Sequence, residues 1–167
     1  MALEMFIKLE GITGESKDYD HKGWSVISSW AWGMSNNETT GDKPVFKELT
    51  FTKRLGIDST YMMLHFAQAK RIKNVELSIT PVMAKREAKQ KYLSMKMEDV
   101  LIKSITTGGS ASDDRFDENI LLSFSKVRFE YSFNTQATHD TAASSVDHNF
   151  GWDSENNQEW QPVTENA

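Results

Sequence analysis

The chain of 167 residues contains no cysteine and only three prolines. Without thiols there can be no disulfide staples, thiolate zinc sites, iron–sulfur clusters or cysteine nucleophiles. A chain of this size buries about 70% of the surface its unfolded form exposes, so one core holds it without staples. Positive charge is in the minority, with 19 Lys and Arg against 24 Asp and Glu and a net charge of −5. A phosphate-backbone binder has the opposite balance, which argues against nucleic acid as a partner. No run of about 18 apolar residues occurs, so no transmembrane helix and no membrane insertion are expected. The opening MALEMFIKLEGITGES is broken by Glu4, Lys8 and Glu10 and leads to no small-residue cleavage site. It therefore does not read as a secretory signal peptide, and synthesis in the cytoplasm is expected. Apolar residues make up only 38% of the chain, yet it holds five Trp, nine Phe and four Tyr. Few but bulky apolar residues imply a thin core within much polar surface.

The dominant hydrophobic period is two. Leu3, Met5, Ile7 and Leu9 share one face of a first strand, opposite Glu4, Lys8 and Glu10. Trp24, Val26, Trp30, Trp32 and Met34 mark a second, Leu49, Phe51 and Leu55 a third, and Val75, Leu77 and Ile79 a fourth. Pro81 belongs at an edge or bulge of the fourth, since it cannot donate to a ladder. In a fifth strand over residues 92–106 the apolar phase is odd at Leu93, Met95 and Met97, then even at Val100 and Ile102. A sixth changes phase between Phe124 and Val127. Strands that change face part-way are made by bulges or sharp bends, as at barrel corners. The expected fold is mainly β: a β-barrel built from two antiparallel sheets with one short α-helix packed on the side. The helix follows Asp58 or Ser59 as N-cap, with Met62, Met63, Phe66 and Ala67 at helical spacing and filling core. The residues 35–43 (SNNETTGDK) and 106–117 read as polar loops. A domain over residues 1–153 and a tail over 154–167 complete the expected organisation.

The search for reaction chemistry yields nothing positive. Of the four histidines, His21 lies in a charged loop and His65 on the helix, where a hydrogen-bonded structural imidazole is the plain reading. His139-Asp140 and Asp147-His148 match no metal-ligand spacing on a rigid element. Asp113, Asp114, Asp117 and Glu118 lack the alternating pattern of a calcium loop and read as solvated. Gly108-Gly109-Ser110 lacks the lysine and helix of a phosphate cradle. No nucleophile elbow occurs. The expectation is no enzyme, no cofactor and no metal. Trp30 and Trp32 as a sugar-stacking pair leave a small-ligand or carbohydrate-binding β-barrel module as the alternative.

In combination the segments carry more information than each alone. Met5-Phe-Ile-Lys-Leu-Glu-Gly-Ile-Thr-Gly-Glu-Ser is followed by His21, Trp24 and Ser29-Trp-Ala-Trp-Gly-Met. Then come Leu49-Thr-Phe-Thr-Lys, Asp58-Ser-Thr and Tyr92-Leu-Ser-Met-Lys-Met-Glu-Asp-Val-Leu-Ile-Lys-Ser-Ile-Thr-Thr-Gly-Gly-Ser. Glu118-Asn-Ile-Leu-Leu-Ser-Phe-Ser-Lys-Val-Arg-Phe-Glu-Tyr and Phe150-Gly-Trp close the series. This ordered set resembles the Hcp family, the haemolysin-coregulated tube proteins of bacterial type VI secretion. The resemblance implies a homo-hexameric ring, rings stacked into a tube within a sheath, and a spike protein at the tip. It also implies secretion without a signal peptide and small effector proteins carried in the lumen. By the same resemblance Ala31 and Gly33 face the lumen. The extended loop of Ser35, Asn36, Asn37, Glu38, Thr39, Thr40, Gly41, Asp42 and Lys43 is implied to reach the adjacent ring.

Overall fold

The computed structural model describes residues 2–37, 39, 42–82, 92–134 and 145–161. In chain order the strands begin with β1 (Leu3–Leu9), β2 (Ser25–Ala31), β3 (Met34–Asn37), β4 (Asp42–Phe46) and β5 (Leu49–Arg54). The helix α1 (Ile57–Ala67) leads to β6 (Ile72–Pro81), the long β7 (Leu93–Gly108), β8 (Asp117–Ser123), β9 (Lys126–Asn134), β10 (Ser145–Asp153) and the short β11 (Gln158–Glu159). The ladder order is β11-β10-β9-β7-β6-β1-β2-β5-β8, and β8 returns to β7. Six antiparallel strands thus close a barrel, with β9, β10 and β11 extending one sheet beyond the point of closure. The expected mainly β fold with a side helix is what the chain adopts.

Closure depends on β7. Its first part pairs with β6 and β9 (Leu77↔Met95, Met95↔Phe129), whereas its second part pairs with β8 (Ile102↔Leu122, Ile105↔Ile120). The change of apolar phase expected between Met97 and Val100 is made at Asp99, a non-glycine residue with φ of 55°. Met95 and Met97 fill the barrel before this kink, and Val100 and Ile102 fill it afterwards. A second irregularity between Ile102 and Ser104 resets the register against β8. Asp99 is held in place by Ser125 Oγ, which donates to its carboxylate at 2.8 Å, and by Arg71 at 3.3 Å.

Three expectations are corrected. Val26 lies outside the barrel and is 56% exposed, because β2 points Ser25 and Ile27 inward and a bulge between Ile27 and Ser29 shifts its phase before Trp30. The sixth strand is two strands, β8 and β9, which part at Phe124 and Ser125 and join different sheets. Residues 154–161, expected within the tail, fold back: β11 pairs Glu159 with Trp152, and Trp160 N–H donates to Gly151 O at 3.1 Å. Gly151 is required there, since the Trp160 carbonyl occupies the space a Cβ would need. The turn before β11 wraps the buried Asp153, which accepts from the Asn156 side chain at 2.8 Å. Hydrogen bonding to Asn156 holds that carboxyl below its ordinary range. Residues 162–167 lie outside the described residues.

The left-handed backbone at residue 99 costs a β-branched side chain about 1–2 kcal/mol, whereas Asn tolerates it. Asp99→Val is expected to lower the unfolding free energy by about 2 kcal/mol, with Asp99→Asn close to wild type. Urea denaturation of the two variants measures this, and equal midpoints would remove the role assigned to the kink.

Candidate functional site: a barrel wall and a two-stranded ribbon

Sheet residues alternate faces, so the strands that place Phe51, Ile120 and Trp30 inward must present their neighbours outward. Two cross-strand rows result on the outer side of β2, β5, β8 and the second part of β7. One row runs Ala31, Thr50, Leu121, Ser104; the next runs Ser29, Thr52, Asn119, Thr106. Ala31, Ser29, Asn119 and Thr106 are exposed, the others half-buried. Neither row contains a charge. Arg54 and Asp117 begin the charged border at one end of this wall. Gly33 lies beyond the β2–β5 ladder and accepts from Lys47 N–H at 2.9 Å, so it hinges the ribbon instead of extending the rows.

That ribbon replaces most of the expected polar loop. Ser35, Asn36 and Asn37 belong to β3, and Asp42 and Lys43 belong to β4; the two strands pair at Ser35↔Val45 and Asn37↔Asp42. Glu38, Thr40 and Gly41 lie outside the described residues. The ribbon forms its own two-stranded sheet, with no ladder to the barrel. It is fastened by Phe46, which stacks on Trp32 at 6.4 Å, Phe150 at 6.4 Å and Trp152 at 6.3 Å. Trp32 in turn lies against Phe129 at 6.0 Å and Phe124 at 6.3 Å. The rings therefore work as an anchor for the ribbon, and Trp30 and Trp32 pack against the barrel core, not as a sugar platform.

A buried ionic cluster sits under the start of α1. Lys53 Nζ donates to Asp58 at 2.9 Å, to Glu118 at 2.8 Å and to the Arg54 carbonyl at 2.7 Å. Ser59 Oγ donates to Glu118 at 2.6 Å and accepts from Gly56 N–H at 2.9 Å, and Ser25 Oγ donates to Asp58. Lys53, Asp58 and Glu118 are each at most 3% exposed. The N-cap is Gly56 and not Asp58 or Ser59 as expected: Ser59, at the third helical position, accepts from Gly56 N–H, Glu15 accepts from Ile57 N–H at 3.1 Å, and Asp58 turns inward. Glu118, expected in a solvated acidic loop, is buried because β8 alternation points it into the barrel beside Ile120. Sequence pattern missed this cluster. Its only signal was a Lys and a Glu falling on the inward phase of β5 and β8.

This cluster has the residue types of a nucleophilic site but not its freedom. Both Asp58 oxygens are occupied by Lys53 and Ser25, and no imidazole adjoins them. His21 is likewise structural: it is 2% exposed, bonds Asp18 at 2.8 Å and Ser78 at 2.9 Å, and stacks on Phe6 at 4.2 Å. His65 bonds the Tyr61 carbonyl at 2.9 Å. His139 and Asp140 lie outside the described residues, and His148 is exposed on β10. Among the described residues no three His, Asp or Glu side chains converge on a cation position. A hydrogen bond with Tyr92 raises the Tyr131 phenol above its ordinary value.

A six-stranded barrel with a side helix, a neutral outer wall and an anchored ribbon defines a mainly β barrel protein. The model of the family described as type VI secretion system effector, Hcp, matches residues 6–131. The chain is 30% identical over 138 residues to protein hcp1 of Pseudomonas aeruginosa, covering 78% of this chain and 84% of that one. Its fold is similar to the crystal structure of Hcp1 from Salmonella typhimurium, with TM-score 0.78, 24% identity, and 96% and 100% of the two chains covered. It is also similar to a type VI secretion system effector from Yersinia pestis, with TM-score 0.64, 28% identity, and 86% and 98% covered. The chain belongs to the Hcp family of type VI secretion proteins. That family is one of structural secretion-tube proteins and not a family of enzymes, and membership implies a secreted protein.

Removing Lys53 strands two buried carboxylates, a loss of about 3–5 kcal/mol for a broken buried ion pair. Lys53→Met is expected to destabilise by that amount. Glu118→Gln, which keeps the Lys53–Asp58 pair and an amide oxygen, should cost about 1–2 kcal/mol. Chemical denaturation ranks the two, and a Lys53→Met protein as stable as Glu118→Gln would refute the cluster's role.

Proposed function

We propose that this chain is the repeating subunit of a type VI inner tube and acts as structure and carrier, not as catalyst. Six copies close into a ring, and rings stack into a hollow tube inside the sheath. The tube leaves the cell with a spike protein at its tip and small effector proteins in its lumen. The observation that carries this reading is the wall of Ser29, Ala31, Thr50, Thr52, Asn119 and Leu121, a neutral face of small side chains on one sheet. Such a face suits a lumen lining: hydroxyls hydrogen-bond a passing polypeptide, and the absence of charge avoids fixing it electrostatically. The ribbon supports the stacking role. Its polar strands stand clear of the barrel ladders, and contacts of that composition are wet and reversible. Among the described residues no helix is long and apolar enough to cross a membrane, which accords with export by dedicated machinery.

Negative-stain imaging of the purified protein is expected to show annular particles, and a monodisperse monomer would overturn the tube reading. Deleting residues 36–41 should leave single rings intact while abolishing their stacking. Normal tubes from the shortened protein would remove the ribbon from that role. Ala31→Gln places six bulky amides on the lumen wall and should cut effector co-purification about tenfold, equivalent to 1.4 kcal/mol, without altering ring size. An unchanged effector yield would take Ala31 off the lumen surface.

A further inference from the structure

β10 ends the extended sheet, and only one of its sides is paired along its whole length. Toward β9 it is laddered from Ser145 to Asp153. On the other side β11 covers only its end, pairing Glu159 with Trp152 and Gln158 with Asp153. Trp160 N–H donates to Gly151 O at 3.1 Å, so Gly151 turns its backbone groups to that open side. Backbone direction alternates along a strand, so Asn149 and Asp147 turn theirs the same way. Such a row of groups is a template for a further strand, and among the described residues only 158–160 pair with it. The segment that carries them is tied down at each end. The Asp153 carboxylate, 2% exposed, accepts from Glu155 N–H at 3.0 Å, Asn156 N–H at 3.2 Å and the Asn156 side chain. Ser154 donates twice to the Ser125 carbonyl, from N–H at 2.9 Å and from Oγ at 2.7 Å. At the far end Lys126 Nζ lies 5.8 Å from the centre of the Trp160 ring, and Arg128 bonds Gln161.

Gly151 shows that β10 is shaped for this segment. Its backbone is outside the left-handed region, so the strand itself makes no demand for glycine. On the β9 side an added Cβ would meet Val127 O at 3.8 Å, an ordinary contact, whereas on the open side it would collide with the Trp160 carbonyl. We propose that residues 154–161 are a clasp that masks a strand-addition site on the edge of β10, and that an extended polypeptide takes the site, antiparallel, when the clasp leaves. Main-chain bonds at Gly151 and Asp153 carry the affinity of such an addition, and side-chain contacts carry its specificity. The occupant the edge fits is a segment of the clasp's own chemistry, with a bare carbonyl passing over Gly151 and an aromatic ring beside Lys126. A short exposed element of this kind opens locally well before a barrel unfolds, so the site is reached without loss of the fold. The clasp is made within one chain and needs no second copy.

Full-length chains and one fluorescent peptide of residues 154–161 test this. Trp160→Pro removes the N–H that binds Gly151 and the ring that meets Lys126, and leaves β10 as it is. Adding Gly151→Ala closes the site itself, because the new Cβ takes the space of the incoming carbonyl. By fluorescence anisotropy the wild-type peptide is expected to bind Trp160→Pro at least about tenfold more tightly than the wild-type chain or the double variant. Equal binding to all three chains, or binding to none, would overturn the strand-addition site. Gly151→Ala alone reads the clasp without any peptide. Chymotrypsin should cut after Trp160 at least about tenfold faster in this variant than in wild type, with little change in the urea midpoint of the barrel. An unchanged rate of cutting there would show that the segment is not held by its contact with Gly151 and would remove the clasp.

Discussion

A single strand that must serve two sheets sets the terms for the rest of the molecule. β7 pairs with β6 and β9 over its first part and with β8 over its second. Between the two parts its inward side changes from odd to even residues at Asp99, whose backbone is left-handed. A strand of strict alternation could not do this: one face would be apolar throughout, and the two sheets would stack without closing. The kink lets Met95 and Val100 both point into the same barrel. Closure in turn obliges β2, β5 and β8 to turn one face outward, and that face is the neutral wall.

The interior is filled by side chains and not left open for a ligand. Leu49, Phe51, Leu77, Met95, Ile120 and Leu122 are fully buried within the barrel, so its function lies on the surfaces. The end of the barrel is closed by charge. Lys53 stands at the end of β5 between two carboxylates, one from β8 and one from the helix, and uses the backbone carbonyl of Arg54 as well. Such a cluster gains little stability over an apolar plug of equal volume, but it is specific about orientation. The helix contributes to it by turning Asp58 to Lys53 and Ser59 to Glu118. The helix therefore presents Ile57, Tyr61 and Leu64 outward.

What could be read from residue patterns was whatever alternation alone determines. β1, β5 and β6 follow from period two, and the face change in β7 was visible because Met97 and Val100 are both large and apolar. Val26 misled for the opposite reason: an apolar residue on the expected phase is outside because a bulge two residues later, invisible in composition, changes the phase. The pairing of β3 with β4 was hidden because its fastening is a long-range ring contact. Phe46 reads as one more aromatic until Trp32 and Trp152 are seen beneath it. Glu118 looked like one of four loop acids, and only its position two residues before Ile120, on the same face and in register with Lys53, makes it a core residue. On the site, the outward direction of Ala31 was legible from Trp30 and Trp32, but its partners Thr50, Leu121 and Ser104 required the ladder.

The thin, ring-rich composition also acquires a physical meaning from the distribution of its parts. Five large rings stack together, Trp32, Phe46, Phe129, Phe150 and Trp152, and tie the ribbon to the extended sheet. Aliphatic and Met side chains with Phe51 fill the barrel, and the wall carries uncharged side chains, five of its eight being Ser or Thr. Each surface thus has a different chemistry, and each chemistry suits a different contact. A neutral hydroxyl wall suits transient contact with many polypeptides, a polar ribbon suits reversible end-to-end association, and an apolar helix suits a contact that stays dry.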